Sequence, residues 1–262
     1  MTRSLLNSMP DWALFFVVVG FVLAVALAGL LVVRRFVPHW RVNAEISAAV
    51  GAMVMTLFAL VLAFAAVNLY DSYRTAFGNV DDEANSLAQI ARDLRVFPNG
   101  GEAKVDRAMV AYIREVRGKE FPAMRTGGSD PLANNRIDGI FTAVQSLEPK
   151  TATQKAFYGS AVGALNDMVA ERRSRVSAAD SSLPGAFIGL LLLTAALSVG
   201  ITWFLRVDVA AMEVILVGAV ALVVGAGLLT ILLLEYPFSG SIAVSSDPFT
   251  RGVLSTLLAH YR

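Results

Sequence analysis

Apolar residues fall into four long unbroken runs along this chain, and the texture between them is quite different. The runs cover Trp12–Val33, Ile46–Tyr70, Gly185–Leu205 and Val214–Leu234, and none contains a charged residue. A bilayer core about 30 Å thick needs about 20 apolar residues of helix, so each run is long enough to cross. Because the runs are continuously apolar instead of alternating, they predict helices, which satisfy every backbone polar group within the segment, and not barrel strands. The pattern predicts an all-α membrane protein with four transmembrane helices. Its spans lie near 12–33, 46–70, 185–205 and 212–235. The first run starts too late and runs too long for a typical signal-peptide core, so it is expected to be retained.

The segment between the second and third spans behaves differently. Residues 71–182 carry 15 basic and 15 acidic side chains, a balance suited to water. Leu87, Ile90, Leu94 and Phe97 recur at three and four positions, one face of a helix. The second span is therefore expected to continue out of the membrane to about Val96, where the turn signal PNGG breaks it. A helix from Glu45 to Val96 would be about 78 Å long. Amphipathic stretches near 102–120 and 132–147 follow, separated by the loop EFPAMRTGGSDP. A further helix is expected over Thr151–Asp180, with Phe157, Ala161, Leu165, Met168, Arg172 and Val176 along one side. The expected organisation is a first transmembrane pair (1–70), a helical stalk domain (71–182), a second pair (183–236) and a C-terminal tail (237–262).

Composition narrows the classes. With 56% hydrophobic and 16% charged residues and a mean hydropathy of +0.60, the chain is too apolar for an ordinary soluble domain. A net charge of +1 gives no bias toward nucleic acid, and the absence of cysteine removes disulfides, thiolate metal sites and thiol nucleophiles. Two histidines, His39 and His260, are too few for a histidine-based metal site or triad, and no phosphate-binding glycine loop occurs. No enzymatic constellation, metal site or cofactor is expected.

Four spans place both termini and the 71–182 domain on one side. The first short loop carries Arg34, Arg35 and Arg41 without an acid and the second adds Arg206, which leans both loops to the cytoplasm and the domain to the extracytoplasmic side. Arg172, Arg173, Arg175, Arg3 and Arg74 near the other membrane face argue the opposite way. Among the charges, Asp71 stands at the exit of the second span, and Asp81, Asp82 and Glu83 follow three turns later. They are either a solvated helix face or an acidic ring at a pore mouth. Arg172, Arg173 and Arg175 pair with those acids, contact lipid headgroups or attract anions. Glu235 closes the fourth span; Glu45 and Glu213 open the second and fourth, where an acid suits the helix dipole. The spans hold no charged residue in their interior, which lowers a proton-coupled transporter or a voltage sensor. What remains is the second span, where Met53, Leu57 and Phe64, followed by Asn68, either pack against neighbours or line a hydrophobically gated path.

Several motifs together resemble the bacterial bestrophin-like membrane proteins. They are RRFVP after the first run, LFALVLAF in the second, EAN at Glu83–Asn85, ERRSR before SSLP, and EYPFSGSIAVSSDPF from Glu235 to Phe249. The resemblance implies a long second helix that lines the pore of an oligomer and continues into an extramembrane domain. In bestrophins that domain is cytosolic, against the lean drawn from the arginine-rich loop. Asp81, Asp82 and Glu83 do not reproduce the calcium clasp of animal bestrophins. The expectation is an oligomeric channel-like protein of the inner (plasma) membrane passing small ions, anions by family analogy. Its partners are the bilayer and further copies of itself. The competing expectation is a non-conducting membrane scaffold or sensor whose stalk domain binds a partner.

Overall fold

The structure is a computed structural model that describes residues 2–36, 44–97, 101–180, 182–204 and 210–261. It is all-α, with no strand among the described residues. The long helices are α2 (Asp11–Phe36), α3 (Ala44–Asp93), α4 (Gly101–Glu115), α6 (Leu132–Gln145), α7 (Ala152–Asp180), α8 (Gly185–Thr202) and α9 (Ala210–Leu234). Shorter ones are α1 (Thr2–Ser8), α5 (Phe121–Met124) and α10 (Gly252–His260), with 3-10 turns at Leu94–Val96 and Asp247–Thr250 and a π-turn at Val116–Glu120. α2, the apolar part of α3, α8 and α9 are each long and apolar enough to span a bilayer. The short connections 37–43 and 205–209, with His39, Arg41 and Arg206, lie outside the described residues, as do the first three residues of the PNGG break. α3 is continuous over 50 residues, about 75 Å of helix.

By its internal contacts the chain forms two units. The membrane unit comprises Ser8–Asp71 and Ser182–Glu235. Its core joins Ala26 and Leu30 of α2, Phe58, Val61, Ala65 and Leu69 of α3, Leu191, Ala195 and Val199 of α8, and Val217, Ala221 and Val224 of α9. Small residues set the helix spacing. A Cβ at Gly225 would stand 3.1 Å from the Val19 backbone, and one at Gly227 would stand 2.6 Å from Leu62. A Cβ at Gly29 would enter the Trp203 ring at 2.1 Å, and that ring's Nε1 donates to the Ala26 carbonyl at 2.9 Å. Gly20, Gly189 and Gly200 of the same helices have open space at that position. The close-packing role is thus carried by a subset of the glycines.

The domain unit comprises Met1–Asn7, Ser72–Ser181 and Tyr236–Arg262. The second half of α3, the α4–α6 pair and α7 supply its core through Val80, Leu87, Ile90, Met109, Ile113, Ile140, Leu165 and Met168. Both ends of the chain join them. The stretch set aside as a tail contributes Phe238, Val244, Phe249, Leu254 and Leu257 to this core, with Phe121 edge-on to Phe238 and Phe249 at 6.0 and 6.2 Å. At the other end Leu6 is buried and Asn7 donates to the Arg125 carbonyl while accepting from the Gly240 amide. Arg3 donates to the Ala179 carbonyl at 2.8 Å and lies over the Tyr236 ring. The EFPAMRTGGSDP stretch is only partly a loop: the π-turn and α5 carry helix through Met124, and the chain then turns at Gly127, whose φ of 86° favours glycine.

Candidate functional site

Two arrangements collect most of the residues singled out by the sequence. The first is a face of α3 in the membrane unit. Phe58, Val61, Ala65 and Leu69 turn into the core, and the opposite face is left bare. Val50, Met53, Leu57, Leu60, Phe64 and Val67, spaced by three and four, are all exposed, Met53 at 72%. The Phe64 ring also meets Phe187 at 5.7 Å. Asn68, exposed one turn on, donates its amide to the Phe64 carbonyl at 3.0 Å, and Asp71 is exposed where the unit ends. The candidates Met53, Leu57, Phe64, Asn68 and Asp71 therefore occupy neighbouring positions on one bare flank.

The second is a buried charge network in the domain unit. Apolar stripes with three-and-four spacing cover α3, α7 and the α4–π-turn segment, and charged residues replace apolar ones at four stripe positions. Glu83 stands between Val80 and Leu87, Glu120 follows Tyr112 and Val116, and Arg172 and Arg175 follow Leu165 and Met168. The π-turn widens the helix before α5 and carries Glu120 to full burial. Arg175 joins both acids: Nε donates to Glu83 Oε2 at 2.7 Å, and Nη2 donates to Glu83 Oε1 at 3.2 Å and Glu120 Oε2 at 2.6 Å. Arg172 Nη2 donates to Glu120 Oε1 at 2.5 Å and its Nη1 to Asn134 Oδ1 at 2.7 Å. The Tyr112 hydroxyl donates to Glu83 Oε1 at 2.6 Å. Arg175 completes its shell with Met124 Sδ and the Phe121 ring face.

Two acids and two guanidinium groups make the network electrically neutral, and Glu83, Glu120 and Arg175 have no exposed surface. Burial opposes the Arg175 charge, but Glu83, with Tyr112 and Glu120 adding to it, outweighs burial and holds the guanidinium pKa above its ordinary value. Burial also pushes the Tyr112 phenol well above its usual range, and the Glu83 charge adds to this. Every charged or phenolic group of the network is engaged, with another member or with Asn134 and Met124. The network fixes α3 to α7 and the π-turn.

The remaining candidates are placed apart. Asp82 and Arg173 are exposed beside their buried neighbours, and Glu235 follows the last turn of α9 half-buried. The acidic run thus splits: Glu83 is interior, Asp82 faces solvent. The arginine triplet splits likewise. Glu120 and Tyr112 carried no expectation, although an acid at a stripe position was the available signal. Glu213, expected only as an acid suited to the dipole at the start of the fourth span, is 5% exposed and ion-paired to Arg34 Nη2 of α2. Among the described residues no cluster of histidines and acids has the arrangement of a metal site.

An all-helical protein with four candidate spans and a neutral, buried charge network belongs among helical membrane proteins. The Bestrophin-like domain model matches residues 20–249, and the chain belongs to the Bestrophin-like family. In fold it is similar to the crystal structure of a point-substituted bacterial bestrophin homologue from Klebsiella pneumoniae, at 14% identity over 96% of this chain and 95% of that one, with a TM-score of 0.65. A second substituted form from the same organism gives 14% identity over 94% and 95% and a TM-score of 0.64. A crystal structure described as a membrane protein gives 12% identity over 94% and 95%, with a TM-score of 0.61. Comparison with curated proteins gives no match.

Proposed function

We propose that this protein is an oligomeric ion channel of the plasma membrane, with several copies of α3 presenting their bare flanks to a shared path for small ions. The observation that carries this reading is the continuous exposed row Val50, Met53, Leu57, Leu60, Phe64 and Val67 on a helix whose other side is packed. Met, Leu and Phe around a narrow axis form an apolar constriction of the kind that closes by dewetting. Family membership supports the same reading, and anions are the conducted species by family analogy. The buried network then has a mechanical role: it holds α3 in a fixed rotation about its own axis within the domain unit.

Purified protein reconstituted in planar bilayers should conduct, and the reversal potential in asymmetric chloride should follow the chloride gradient. Silence across chloride, nitrate and potassium salts at both polarities would overturn the channel reading and leave the non-conducting scaffold.

A further inference from the structure

We infer that the membrane unit contains a binding site for a single acyl chain of a membrane lipid, in a cavity of about 210 Å³ enclosed by α2, α8 and α9. Its mouth and floor differ sharply. Phe21, Val25 and Leu192 at the mouth are exposed, Phe21 at 70%, while Ala195, Val199 and Val224 beneath them are buried. The volume exceeds the roughly 150 Å³ of an engineered apolar cavity that stays dry and takes up benzene. Bare walls of that extent forfeit dispersion contacts unless something fills them.

The lining restricts what that something is. Every lining side chain is a hydrocarbon except Trp203, and its Nε1 is already spent on the Ala26 carbonyl. A water molecule needs two to four polar partners, and these side chains offer it none. A headgroup, an ion or a polar metabolite meets the same obstacle. Depth selects among apolar occupants. From Leu192 to Trp203 the lining follows α8 for about 16 Å, close to half of a hydrocarbon core about 30 Å thick. Trp203, at the end of the span where aromatic residues favour the interface, closes that end, wedged against Gly29. The cavity therefore follows the path of one monolayer's tails, from interface to midplane, and opens sideways where tails are the solvent. None of its walls comes from α3. Assigning this side to lipid and not to another copy rests on the proposed reading of the bare α3 flank as the inter-subunit face.

Photolabelling separates an inserted chain from bulk lipid. The full-length protein would be reconstituted in phosphatidylcholine vesicles containing a phosphatidylcholine with a diazirine in its tail, irradiated, and mapped by peptide mass spectrometry. Exposed residues outside the cavity, such as Leu197 and Val223, report bulk lipid. Label on the buried floor, at Val199 and Val224, is the expected result. Ala195→Leu, and the milder Ala196→Leu at the exposed rim, should reduce floor labelling several-fold while leaving Leu197 and Val223 unchanged. Label confined to exposed residues would overturn the site. So would an unlabelled floor combined with a filling variant that shifts the oligomer to monomer, since a neighbouring copy would then be the occupant. Floor labelling in a protein that carries no current would sustain the site and reject the channel, so the two readings fail separately.

Discussion

The two units hold their helices together with opposite chemistry. In the membrane unit the contacts are apolar and close, set by glycines facing Val19, Leu62 and Trp203, and its buried acid, Glu213, sits near a helix end paired with Arg34. In the domain unit four charged side chains occupy the centre, and aromatic rings close around them. Each follows from the solvent. Lipid tails supply no hydrophobic drive between helices, so approach distance and van der Waals contact decide packing. Water does supply that drive, but an apolar interface between long helices tolerates rotation, whereas a bidentate guanidinium–carboxylate contact fixes direction. A buried network is weak support for stability in itself, because desolvation offsets much of its attraction. Its value here is geometric, and α3, which runs through both units, is the element whose orientation it sets.

The largest effect should come from unbalancing the network. Arg175→Met leaves Glu83 and Glu120 buried around one remaining cation, and should destabilise the domain unit by roughly 3–5 kcal/mol. Hydrogen exchange in α7 and the second half of α3 would report it, with exchange in α9 little changed. Exchange rising equally in all helices would show that the units are not separately held.

The membrane unit should break through volume. Gly29→Val drives a branched side chain into the Trp203 ring and displaces its bond to Ala26, at a cost of roughly 1–3 kcal/mol. Thermal unfolding followed by Trp emission would measure it, and Gly20→Ala, where the space is open, serves as the neutral comparison.

A smaller and pH-dependent effect belongs to the domain unit. Asp106 of α4 is half-buried, and that burial, with Glu102 beside it, raises its pKa from 3.8 to about 6 against the opposing pull of Arg95 and His260. A carboxyl with a raised folded pKa contributes stability fully below 3.8, and that contribution is lost as pH rises through 6. Asp106→Asn should therefore stabilise the protein at pH 8 by about 1 kcal/mol after allowing for solvent screening. The advantage should fade on acidification and vanish below about pH 4. An advantage independent of pH would mean the carboxyl is not the cause.

The sequence made the long elements readable because hydropathy and helical period dominate them. α3 ends within a few residues of the expected Val96, and α7 begins one residue after Thr151. The charges were harder. A run such as Asp81, Asp82, Glu83 reads as solvated until the stripe Ala76, Val80, Glu83, Leu87 is followed through it, and then Glu83 takes a core position. Glu120 was hidden in the same way: it continues the stripe Tyr112, Val116 by one more step of four, but as an acid beside Lys119 and Arg117 it reads as a solvated charge. The ends of the chain were hidden for a different reason. Segments of seven to nine helical residues carry too few turns to show a periodic face, so α1 and α10 gain their order from the surface they dock on. Arg3, Leu6 and Asn7 give no sign of their partners at Ala179, Tyr236 and Arg125.

The central claim is that the bare flank of α3 faces the ion path, and the chain has no cysteine, so each introduced thiol stands alone. Single cysteines at Met53, Leu57 and Phe64, at Phe58 and Ala65 on the packed face, and at exposed Leu31 of α2 would be probed with a charged, membrane-impermeant thiol reagent during current recording. The account predicts altered current for Met53→Cys, Leu57→Cys and Phe64→Cys, and none for Phe58→Cys, Ala65→Cys or Leu31→Cys. Modification of Leu31→Cys or of the packed face, with the three flank positions inert, would contradict it.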